Sequence, residues 1–435
     1  MNFLEQYIDL PCGVKIKNRI CKAAMTERIA DNRNFANQAH HTLYKKWNDG
    51  NCGLLLTGNI QVDRKNIEAA GNVVIEEESY RDQIPALKKW VDIATRNGSH
   101  LWMQISHAGR QTPGELNLYP LAPSSIPLKI PGRKFGVPTE MTEEEIIDVI
   151  NRFIFVGKVA RESGFTGIQL HSAHGYLLSE FLSPDINIRL DSWGGSLENR
   201  ARLLLEIING CRKELGNDYP ISVKLNSADF QKGGFSNEES VKVAVMLSKA
   251  GIDLLEISGG TYEQPKLLGY DKVSVNPKRN QFIKNSTIAR ESYFLSYAEN
   301  ISSAIDIPLM VTGGFRSRKG MEAALSSQVC QMIGIARPLC SDPLAIKKIM
   351  DGEIDNLPVY EEKLSIGPWW LSKKSPFRII QAINAFSSQA WFYMQIRRMS
   401  QGLNPDISMR PFKAFLENNK YDQASIHDYH NHMPE

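Results

Sequence analysis

Eight short apolar segments recur along the chain between residues 19 and 337, and longer stretches with helical spacing separate them. Most of the eight are nearly continuous in apolar residues, which is typical of strands buried on both faces of a parallel sheet. The segments are RICKAAM (19–25), GLLLTGN (53–59), HLWMQIS (100–106), GIQLHSA (167–173), ISVKLN (221–226), DLLEISGG (253–260), PLMVTGG (308–314) and QMIGIAR (331–337). The pattern predicts an α/β protein built on parallel strands.

The helical stretches between these segments carry recognisable end signals. Thr142 precedes three glutamates and a periodic apolar stretch that stops at Gly164, and later stretches stop at Gly216 and Gly251. Such caps and acidic first turns mark helix starts, and glycine marks helix ends. Eight strand–helix units predict a (β/α)8 TIM barrel. A doubly wound sheet is the alternative, but it rarely needs eight units, and no G-x-G-x-x-G follows the first strand.

The predicted barrel leaves a long C-terminal remainder. We assign residues 1–351 to the barrel and residues 352–435 to a helical extension, packed on the barrel or lying at an oligomer interface. Four apolar residues at helical spacing favour a helix against the barrel wall over a dimer or partner surface: Ile379, Ile383, Phe386 and Ala390. Two loops, 111–140 and 261–292, are expected to shape a pocket, and the first is long enough to be a lid.

Composition narrows the partners and the compartment. A formal net charge of +3 over 435 residues is too small to favour nucleic acid or an anionic membrane as a partner. The sequence contains no run of about 18 apolar residues, so we expect no membrane span, and its N-terminus lacks the apolar stretch of a secretory signal. Six cysteines without a C-x-x-C pair fit a reducing compartment and argue against a zinc ribbon, a disulfide framework or an iron–sulfur cluster. The expected location is cytoplasmic.

The stretch QLHSAHGYLL puts two histidines and a tyrosine at the end of the fourth predicted strand. Functional residues of this fold lie at the C-terminal ends of the strands, so His171, His174 and Tyr176 favour a site over two structural histidines. A metal-dependent hydrolase would need a further ligand, which His107 or Asp229 could supply. The spacing matches no zinc signature, so the metal site is the weaker alternative.

Strands seven and eight end in residues suited to a phosphate. VTGGFRS contains Gly313, Gly314 and Arg316, and GIARPL contains Arg337. The loops after these two strands bind phosphate in many barrels, because glycines expose backbone N–H groups and arginine adds a fork of donors. A tight turn and a surface ion pair are the structural alternatives.

Two polar side chains, Gln104 and Lys224, interrupt otherwise apolar strands. A buried lysine is costly without a partner. Each residue alone could be a satisfied core polar group, whereas one ligand that needs both an amide and a cation explains the two together. An isoalloxazine ring is such a ligand, since its pyrimidine edge carries donors and acceptors and becomes anionic on reduction.

These motifs occur together in the order found in the Old Yellow Enzyme family of NAD(P)H:flavin oxidoreductases, which the chain resembles over roughly residues 1–350. The most specific are HSAHGYLLSEFLSP and RLDSWGGSLENR, accompanied by KNRICKAAMTE, MQISHAGRQ and VKLNSADF. The resemblance implies an FMN-binding barrel with NADH or NADPH as hydride donor in the same pocket. It also implies a ping-pong ene-reductase, in which hydride passes to FMN and then to the β-carbon of an α,β-unsaturated carbonyl or similar activated alkene.

The resemblance further implies a role for each matching residue. His171 and His174 would bind the carbonyl oxygen of the substrate, and Tyr176 would protonate its α-carbon. The remaining matches would bind FMN: Ala23, Ala24, Met25 and Thr26 along the ring, Asn59, Gln104 and Lys224 at its pyrimidine side, and Gly314, Phe315, Ala336 and Arg337 at the phosphate. No metal is implied.

The chain departs from the family pattern at several positions. Lys224 stands where many members have arginine, which differs in hydrogen-bond reach, and Arg28 stands where one subgroup has a substrate-contacting tyrosine. Three further departures replace a common proline, a usual tyrosine and a frequent glycine: Ala24, Trp193 and Ala336. No cysteine follows Cys340, so the iron–sulfur and FAD portion of larger relatives is not expected. A metal-dependent barrel hydrolase and a flavin-binding redox sensor are the alternative functions.

Overall fold

Eight parallel strands close into a barrel in the computed structural model, which describes residues 2–130, 134–260 and 294–432. The strands are β1 (Ile20–Lys22), β2 (Leu54–Leu56), β3 (His100–Ser106), β4 (Ile168–Ser172), β5 (Ile221–Asn226), β6 (Leu254–Ser258), β7 (Leu309–Thr312) and β8 (Met332–Ile335). Each pairs in parallel with the next, and β8 closes the barrel on β1 with Ile333 opposite Ile20. The predicted (β/α)8 barrel is therefore confirmed.

Helices surround the strands and continue into the C-terminal extension. They are α1 (Gln38–Asn48), α2 (Tyr80–Ala94), α3 (Glu143–Glu162), α4 (Leu177–Leu182), α5 (Leu197–Leu215), α6 (Asn237–Lys249), α7 (Leu295–Ser302), α8 (Arg318–Ser326), α9 (Pro338–Ser341), α10 (Ala345–Met350), α11 (Arg378–Ser400) and α12 (Pro411–Asn431). Single 3₁₀ turns occur at Arg64–Asn66, Gly109–Gln111 and Trp369–Leu371. Short strands pair Ile8–Asp9 with Lys15–Ile16, Leu121–Ala122 with Thr139–Glu140, and Ile60–Gln61 with the end of β3.

Local sequence explains where the longer helices begin and end. At the start of α3, the Thr142 hydroxyl accepts from the Glu145 N–H at 3.2 Å, and the Glu145 carboxylate accepts from the Thr142 N–H at 2.8 Å. This reciprocal cap is worth about 1 kcal/mol to helix stability. The helix stops where Gly164 takes a left-handed φ of +87°. The predicted bounds of this helix are thus correct to within a residue or two.

The two faces of the strands bury different side chains. Leu170, Val223 and Leu255 point outward into the large apolar core that the strands share with the helices. Leu254 belongs to a smaller apolar cluster, and Glu256, two residues further along β6, lies on the same face. The barrel interior therefore changes from apolar to polar toward the C-terminal ends of its strands, where a ligand would bind.

The C-terminal extension contacts the barrel through both of its long helices. Tyr429 of α12 donates its hydroxyl hydrogen to the Arg64 carbonyl at 2.8 Å, and His430 lies 2.7 Å from the Glu115 carbonyl. The Trp391 indole N–H of α11 donates to the carbonyl of Met409, just before α12, at 3.0 Å. The predicted apolar stripe is wrong at its first member, because Ile379 is 71% exposed. The boundary between barrel and extension at residue 351 stays a prediction.

Parts of the predicted loops lie outside the described residues, namely all of 261–292 and residues 131–133 of the segment 111–140. The rest of that segment is more ordered than a loop prediction suggests, since it contains the paired strands Leu121–Ala122 and Thr139–Glu140. All six cysteines are free thiols. Across the described ranges, none of the helices combines the length and the apolar character needed to span a bilayer.

Candidate active site

Strand register brings the polar residues of four neighbouring strands together inside the barrel. Gln104 of β3 pairs with Gln169 of β4, and Lys224 of β5 pairs with His171 on one side and Glu256 on the other. Paired residues of parallel strands in register project from the same face of the sheet. Because Gln169 and His171 are two residues apart, all five side chains lie on the interior face.

Two hydrogen bonds and one ion pair connect the two polar residues that the sequence singled out. The Gln104 side-chain amide donates to Oε1 of the Gln169 side chain at 2.7 Å. The N–H of the same Gln169 side chain donates to Glu256 Oε2 at 2.9 Å. Lys224 Nζ lies 2.9 Å from the other carboxylate oxygen, Oε1, and the two charged side chains are 5% and 0% exposed. Gln169 and Glu256 thus hold Gln104 and Lys224 in place inside the barrel. The remaining donors and acceptors of Gln104 and Lys224 can meet a ligand at the barrel mouth.

Gln169 and Glu256 were not among the residues predicted from the sequence. Both lie in strand segments that are otherwise apolar, GIQLHSA and DLLEISGG, so the signal that identified Gln104 and Lys224 applied to them as well. Burying an ammonium group without a counterion costs several kcal/mol. A fully buried carboxylate on the neighbouring strand is therefore the partner that a buried lysine requires.

His171, His174 and Tyr176 form a compact aromatic group just beyond β4. The His171 ring centre lies 5.2 Å from that of His174 and 4.8 Å from that of Tyr176, with the planes nearly perpendicular in both pairs. His171 and Tyr176 are each 4% exposed, and Tyr176 also caps the start of α4. The structure thus brings the three predicted residues together at the C-terminal end of the barrel.

A backbone hydrogen bond determines which nitrogen of the His171 imidazole carries the proton. The Ala173 N–H points at His171 Nδ1 at 3.3 Å, so this nitrogen is an acceptor and the proton resides on Nε2. His174 Nε2 lies 2.8 Å from the Ser258 hydroxyl. A hydroxyl that donates to Nε2 leaves the proton of His174 on Nδ1. Ser258 lies in the predicted strand segment DLLEISGG, but the sequence of this segment does not indicate a contact with His174.

Both histidines are neutral at physiological pH. Burial, and then the nearby Lys224 ammonium, hold the pKa of the His171 imidazole well below its ordinary value. The same two causes, followed by the positive charge that His171 would carry, lower the pKa of His174. A neutral imidazole has one N–H donor, so the pair can offer two donors without introducing charge.

The backbone at His174 is held in a strained conformation. Its φ is +63°, in the left-handed region that costs a residue with a Cβ about 1–3 kcal/mol, and Gly175 follows with a φ of +80°. The His174 N–H donates to the Asn226 side chain at 3.1 Å, and the Gln111 side-chain amide donates to the His174 carbonyl at 2.6 Å. The end of β5 and the 3₁₀ turn after β3 therefore hold the backbone from which the second imidazole projects.

The ends of β7 and β8 gather positive charge around one carboxylate. Gly313 and Gly314 have left-handed φ values of +129° and +86°, which turn the backbone after β7. Arg316 pairs with Glu361, Arg337 Nη1 lies 3.9 Å from the same carboxylate, and the Lys373 ammonium donates to the Glu361 carbonyl. Although burial alone would raise it, Arg316 and Arg337 hold the pKa of the Glu361 carboxyl below its ordinary value.

These side chains fit a phosphate. Arg316 and Arg337 lie beside the Glu361 carboxylate, and Lys373 reaches the Glu361 backbone carbonyl, so three cationic side chains gather where a phosphate would bind. Phe315 and Ala336, the other residues predicted here, lie in the same two loops, and Phe315 is buried. Glu361 and Lys373 belong to the extension and were not predicted, because only the folded chain brings them to the barrel.

The remaining predicted residues line the first two strand ends. Ala23 is fully buried and its N–H donates to the Ile335 carbonyl of β8, whereas Ala24, Met25 and Thr26 are half-buried at the rim. Asn59 follows β2 and is 6% exposed. These positions agree with a planar ligand lying across the mouth. Behind them, a buried group of Lys22, Tyr44 and Glu27 shares hydrogen bonds away from the mouth.

The structure does not favour the metal alternative. Both oxygens of Asp229 accept hydrogen bonds, Oδ1 from the Asn226 side chain at 2.8 Å and Oδ2 from Ser183 and the Phe235 N–H. His107 Nε2 instead lies 3.6 Å from Asp63. Among the residues that the structure describes, no group of three histidines, cysteines or carboxylates could hold a metal ion.

Comparisons with known proteins agree on one family. The family model for the NADH:flavin oxidoreductase / NADH oxidase family matches residues 8–356. The chain is 33% identical over 383 residues to the NADH-dependent flavin oxidoreductase iliE of Hypocrea jecorina (strain QM6a), covering 83% of this chain and 93% of that relative. It is 32% identical over 423 residues to the NADH-dependent flavin oxidoreductase iccE of Talaromyces variabilis, covering 92% and 98%. Among solved structures, an old yellow enzyme homologue from Zymomonas mobilis has a TM-score of 0.66 at 22% identity, covering 82% of this chain and 95% of that one, a likeness of fold alone.

Proposed function

Because the chain belongs to the NADH:flavin oxidoreductase / NADH oxidase family, the Old Yellow Enzyme family, we propose that it is an ene-reductase that acts on α,β-unsaturated carbonyls or similar activated alkenes. It is an FMN-dependent oxidoreductase, and its matching relatives carry names with NADH or with NADPH as the reductant. The proposal goes further, because it assigns the substrate class and the role of each residue at the mouth of the barrel. NADH or NADPH binds first, gives its hydride and leaves, and the alkene then binds at the same site.

The residues at the mouth fit FMN in both charge and hydrogen bonding. Gln104 and Lys224 would meet the pyrimidine side of the ring together with Asn59, while Ala23 to Thr26 would lie along it. Gly314, Phe315, Ala336 and Arg337 would hold the phosphate, beside the cationic side chains of Arg316 and Lys373. When bound, FMN supplies the hydride chemistry. Lys224 would contribute a fixed cation to the side of the ring that becomes anionic on reduction.

The neutral histidine pair is the observation that carries the proposal. Two imidazoles whose ring centres are 5.2 Å apart can each direct one N–H at the same carbonyl oxygen. Donors aimed at this oxygen polarise the conjugated double bond and stabilise the enolate that develops as the β-carbon accepts hydride. Since both pKa values are lowered, the pair keeps this geometry and charge across the neutral pH range.

Tyr176 is the proposed proton donor. Its ring packs edge-on against His171, and its position as the cap of α4 fixes the backbone from which it projects. A phenol that gives its hydrogen to the α-carbon completes the reduction of the alkene, and bulk water restores the proton. The Tyr176 side chain is 4% exposed, so little solvent contacts it before substrate binds.

Replacement of Tyr176 tests this assignment. We expect Tyr176→Phe to slow reduction of an enone by about 100-fold, as for loss of a general acid, while reduction of the FMN-loaded protein by NADH or NADPH changes little. Stopped-flow absorbance measures the two half-reactions separately. Tyr219→Phe is the matched control, because its hydroxyl donates to the Phe165 carbonyl at 2.7 Å away from the mouth. Equal losses in both half-reactions of Tyr176→Phe would contradict the role.

A further inference from the structure

A buried polar cluster lies between strand β1 and helix α1. It consists of Lys22 of β1, Tyr44 of α1 and Glu27 of the loop that follows β1, which are 0%, 0% and 5% exposed. The Lys22 ammonium donates to the Tyr44 hydroxyl at 3.1 Å and to the Leu56 carbonyl of β2 at 2.6 Å. The proposed mechanism gives none of these three side chains a role.

Stability alone does not explain the cluster. Burial of polar and charged groups costs free energy, and apolar side chains of similar volume often stabilise a protein as well or better. Burial, opposed by the nearby Glu27 carboxylate, lowers the pKa of the Lys22 ammonium to about 8, which is a sign of this cost. A buried network whose members are hydrogen-bonded can instead hold the surrounding backbone in a single arrangement.

Glu27 connects the loop after β1 to the loop after β2. Its Oε1 accepts from the Tyr44 hydroxyl and from the Gly58 N–H, the latter at 2.8 Å. Gly58 also packs directly on the carboxylate, because a Cβ at this position would overlap Glu27 Oε2 and lie 2.5 Å from the Met25 carbonyl oxygen. Only glycine allows the two loops to approach so closely.

The hydrogen bonds continue from Gly58 to β3. The Thr57 hydroxyl donates to the Gly58 carbonyl at 2.9 Å and accepts from the Gln104 N–H of β3 at 2.8 Å. Thr57 is fully buried, so water does not compete for these bonds. The Glu27 carboxylate is therefore one end of a network that ties together the segments at the C-terminal ends of β1, β2 and β3.

This network holds the backbone at three residues assigned to the flavin ring. Thr26 is joined by a peptide bond to Glu27, Asn59 is joined to Gly58, and Gln104 is bonded through its own N–H. Because a peptide bond is planar and keeps neighbouring Cα atoms 3.80 Å apart, a fixed residue restricts the position of the next one. All three side chains carry hydrogen-bond donors.

We propose that Glu27 is a positioning residue for the flavin, which keeps Thr26 and Asn59 at the spacing at which their side chains donate to the ring. The inference rests on the proposed function, which assigns Thr26, Asn59 and Gln104 to the ring. Donors held at the side of the ring that becomes anionic stabilise reduced FMN more than oxidised FMN. Displacement of Glu27 should therefore lower the reduction potential of bound FMN.

Gly58→Ala tests the proposal, because the added methyl group pushes against the Glu27 carboxylate. We expect reduced FMN to lose about ten times more affinity than oxidised FMN, as for partial loss of donors to an anion, which lowers the reduction potential by about 30 mV. The potential of the FMN-loaded protein is measured by equilibration with a reference dye, without any alkene. An unchanged potential overturns the proposal.

The matched control is Gly53→Ala, at the opposite end of β2. Its Cβ would lie 2.5 Å from the Asn18 carbonyl oxygen, and neither this glycine nor Gly58 has a left-handed φ. Urea unfolding should show a comparable loss of stability in the two variants, whereas the potential of Gly53→Ala should stay at the wild-type value. An equal shift of the potential in both variants would mean that crowding anywhere along β2 is sufficient, and overturns the proposal.

A second pair of variants separates position from charge. Glu27→Ala removes the acceptor and should lower the potential as Gly58→Ala does, whereas Glu27→Gln keeps an oxygen that accepts from the Gly58 N–H and should recover most of the shift. Equal shifts in the two variants would assign the effect to charge and overturn the positioning role. Tyr44→Phe, which removes only the hydroxyl that donates to Glu27, serves if Gly58→Ala and Glu27→Ala do not fold.

Asn59→Ala separates this proposal from the proposed function. It removes an assigned ring donor directly and should also lower the potential. If Asn59→Ala shifts the potential and Gly58→Ala does not, the role of Glu27 fails while the ring assignment stands; if neither shifts it, both fail. If Gly58→Ala lowers the potential but the protein reduces no enone, the ene-reductase proposal fails while the role of Glu27 stands.

Discussion

The Ala173 backbone N–H places the proton of His171 on Nε2, and we propose that the Ser258 hydroxyl donates to His174 Nε2 and so places the proton of His174 on Nδ1. The contacts at 2.8 Å and 3.3 Å each occupy one ring nitrogen, so the other nitrogen of each ring is left to bind substrate. At the scale of single residues, the site thus depends on groups that never touch the alkene. The strained backbone of His174 serves the same purpose, because Asn226 and Gln111 hold it from both sides.

Removal of the Ser258 hydroxyl should impair the histidine pair without changing its position. In Ser258→Ala the proton of His174 is no longer fixed on Nδ1, and we expect kcat/KM for cyclohex-2-enone to fall about tenfold or more, as when an oxyanion donor is weakened. Ser258→Thr keeps the hydroxyl and should restore most of the loss. Steady-state kinetics of the two variants provides the check. Equal losses in alanine and threonine variants would mean that Ser258 has only a packing role.

The role of a single residue could be predicted from the sequence where it depends on residues nearby in the chain. His171, His174 and Tyr176 follow a strand at the end where this fold binds ligands, so their spacing alone pointed to a site. Glu256 shows the limit: its pairing with Lys224 follows from the register of two strands, which the order of residues does not reveal. Glu361 is more extreme, since it reaches Arg316 from 45 positions away.

At the scale of elements, β5 and β6 act as a pair because each contributes one half of a buried ion pair. Lys224 and Glu256 meet at 2.9 Å with almost no exposure. Breaking such a pair from one side leaves an uncompensated charge and costs about 3–5 kcal/mol. The two strands therefore hold a cation at the barrel mouth that neither could bury alone.

Glu256→Gln should destabilise the FMN-free protein more than the FMN-loaded protein. The amide cannot neutralise the Lys224 ammonium, so unfolding of the FMN-free variant should need about 3 kcal/mol less free energy. Under the proposed assignment of Lys224 to the pyrimidine side of the ring, bound FMN would partly restore the balance by accepting from the lysine. Urea unfolding with and without FMN measures the difference. Ser222→Ala, which removes only a hydrogen bond to Gln169, is the control; equal destabilisation in both forms would contradict the argument.

Helices and strands were predictable where their end signals are strong. The reciprocal caps at Thr142 and Ser236 and the left-handed glycines at 164 and 251 explain why two helices matched their predicted bounds. The two-residue strands Leu121–Ala122 and Thr139–Glu140 are too short to leave a periodic pattern. The apolar stripe of α11 failed at Ile379 because helical spacing does not say where the neighbouring surface ends.

At the scale of the whole molecule, burial of free thiols links stability to pH. Burial raises the pKa of Cys52, Cys211, Cys330 and Cys340 to about 12 each, against about 8.5 in an unfolded chain. Between these values the folded state binds more protons than the unfolded state, so stability is lost as the pH rises. Burial also raises the pKa of Cys12 and Cys21. Lysines act in the opposite direction, because burial lowers the pKa of Lys22 to about 8 and also lowers the pKa values of Lys17 and Lys373.

We therefore expect the free energy of unfolding to fall steeply above pH 9. Each thiol contributes up to about 1.4 kcal/mol per pH unit, the value of one proton. Urea titrations at half-unit steps from pH 8 to pH 10.5, under reducing conditions, measure the slope. In Cys211→Ala, the slope of the free energy of unfolding against pH should be shallower by about the contribution of one thiol. A stability that stays flat up to pH 10.5 would mean that these thiols ionise in the folded protein.

The barrel as a whole was predictable, because eight buried strands alternating with helices leave few other arrangements. The contact between barrel and extension was not. This contact depends on how α11 and α12 lie against loops that are distant in sequence, and Arg28 gains its partner Asp422 only in the folded chain. Sequence alone showed that Arg28 departs from a subgroup pattern, whereas the structure shows what it contacts instead.

The most direct test of the central claim is a visible absorption spectrum of the purified FMN-loaded protein during titration with a para-substituted phenol. A phenolate held by the two histidines over the flavin should keep the flavin bands and add a long-wavelength charge-transfer band. Replacement of both His171 and His174 by alanine should abolish the new band and leave the flavin bands. Flavin bands without any new band in the wild-type protein would contradict the histidine assignment, and a colourless protein that takes up no FMN would contradict the account as a whole.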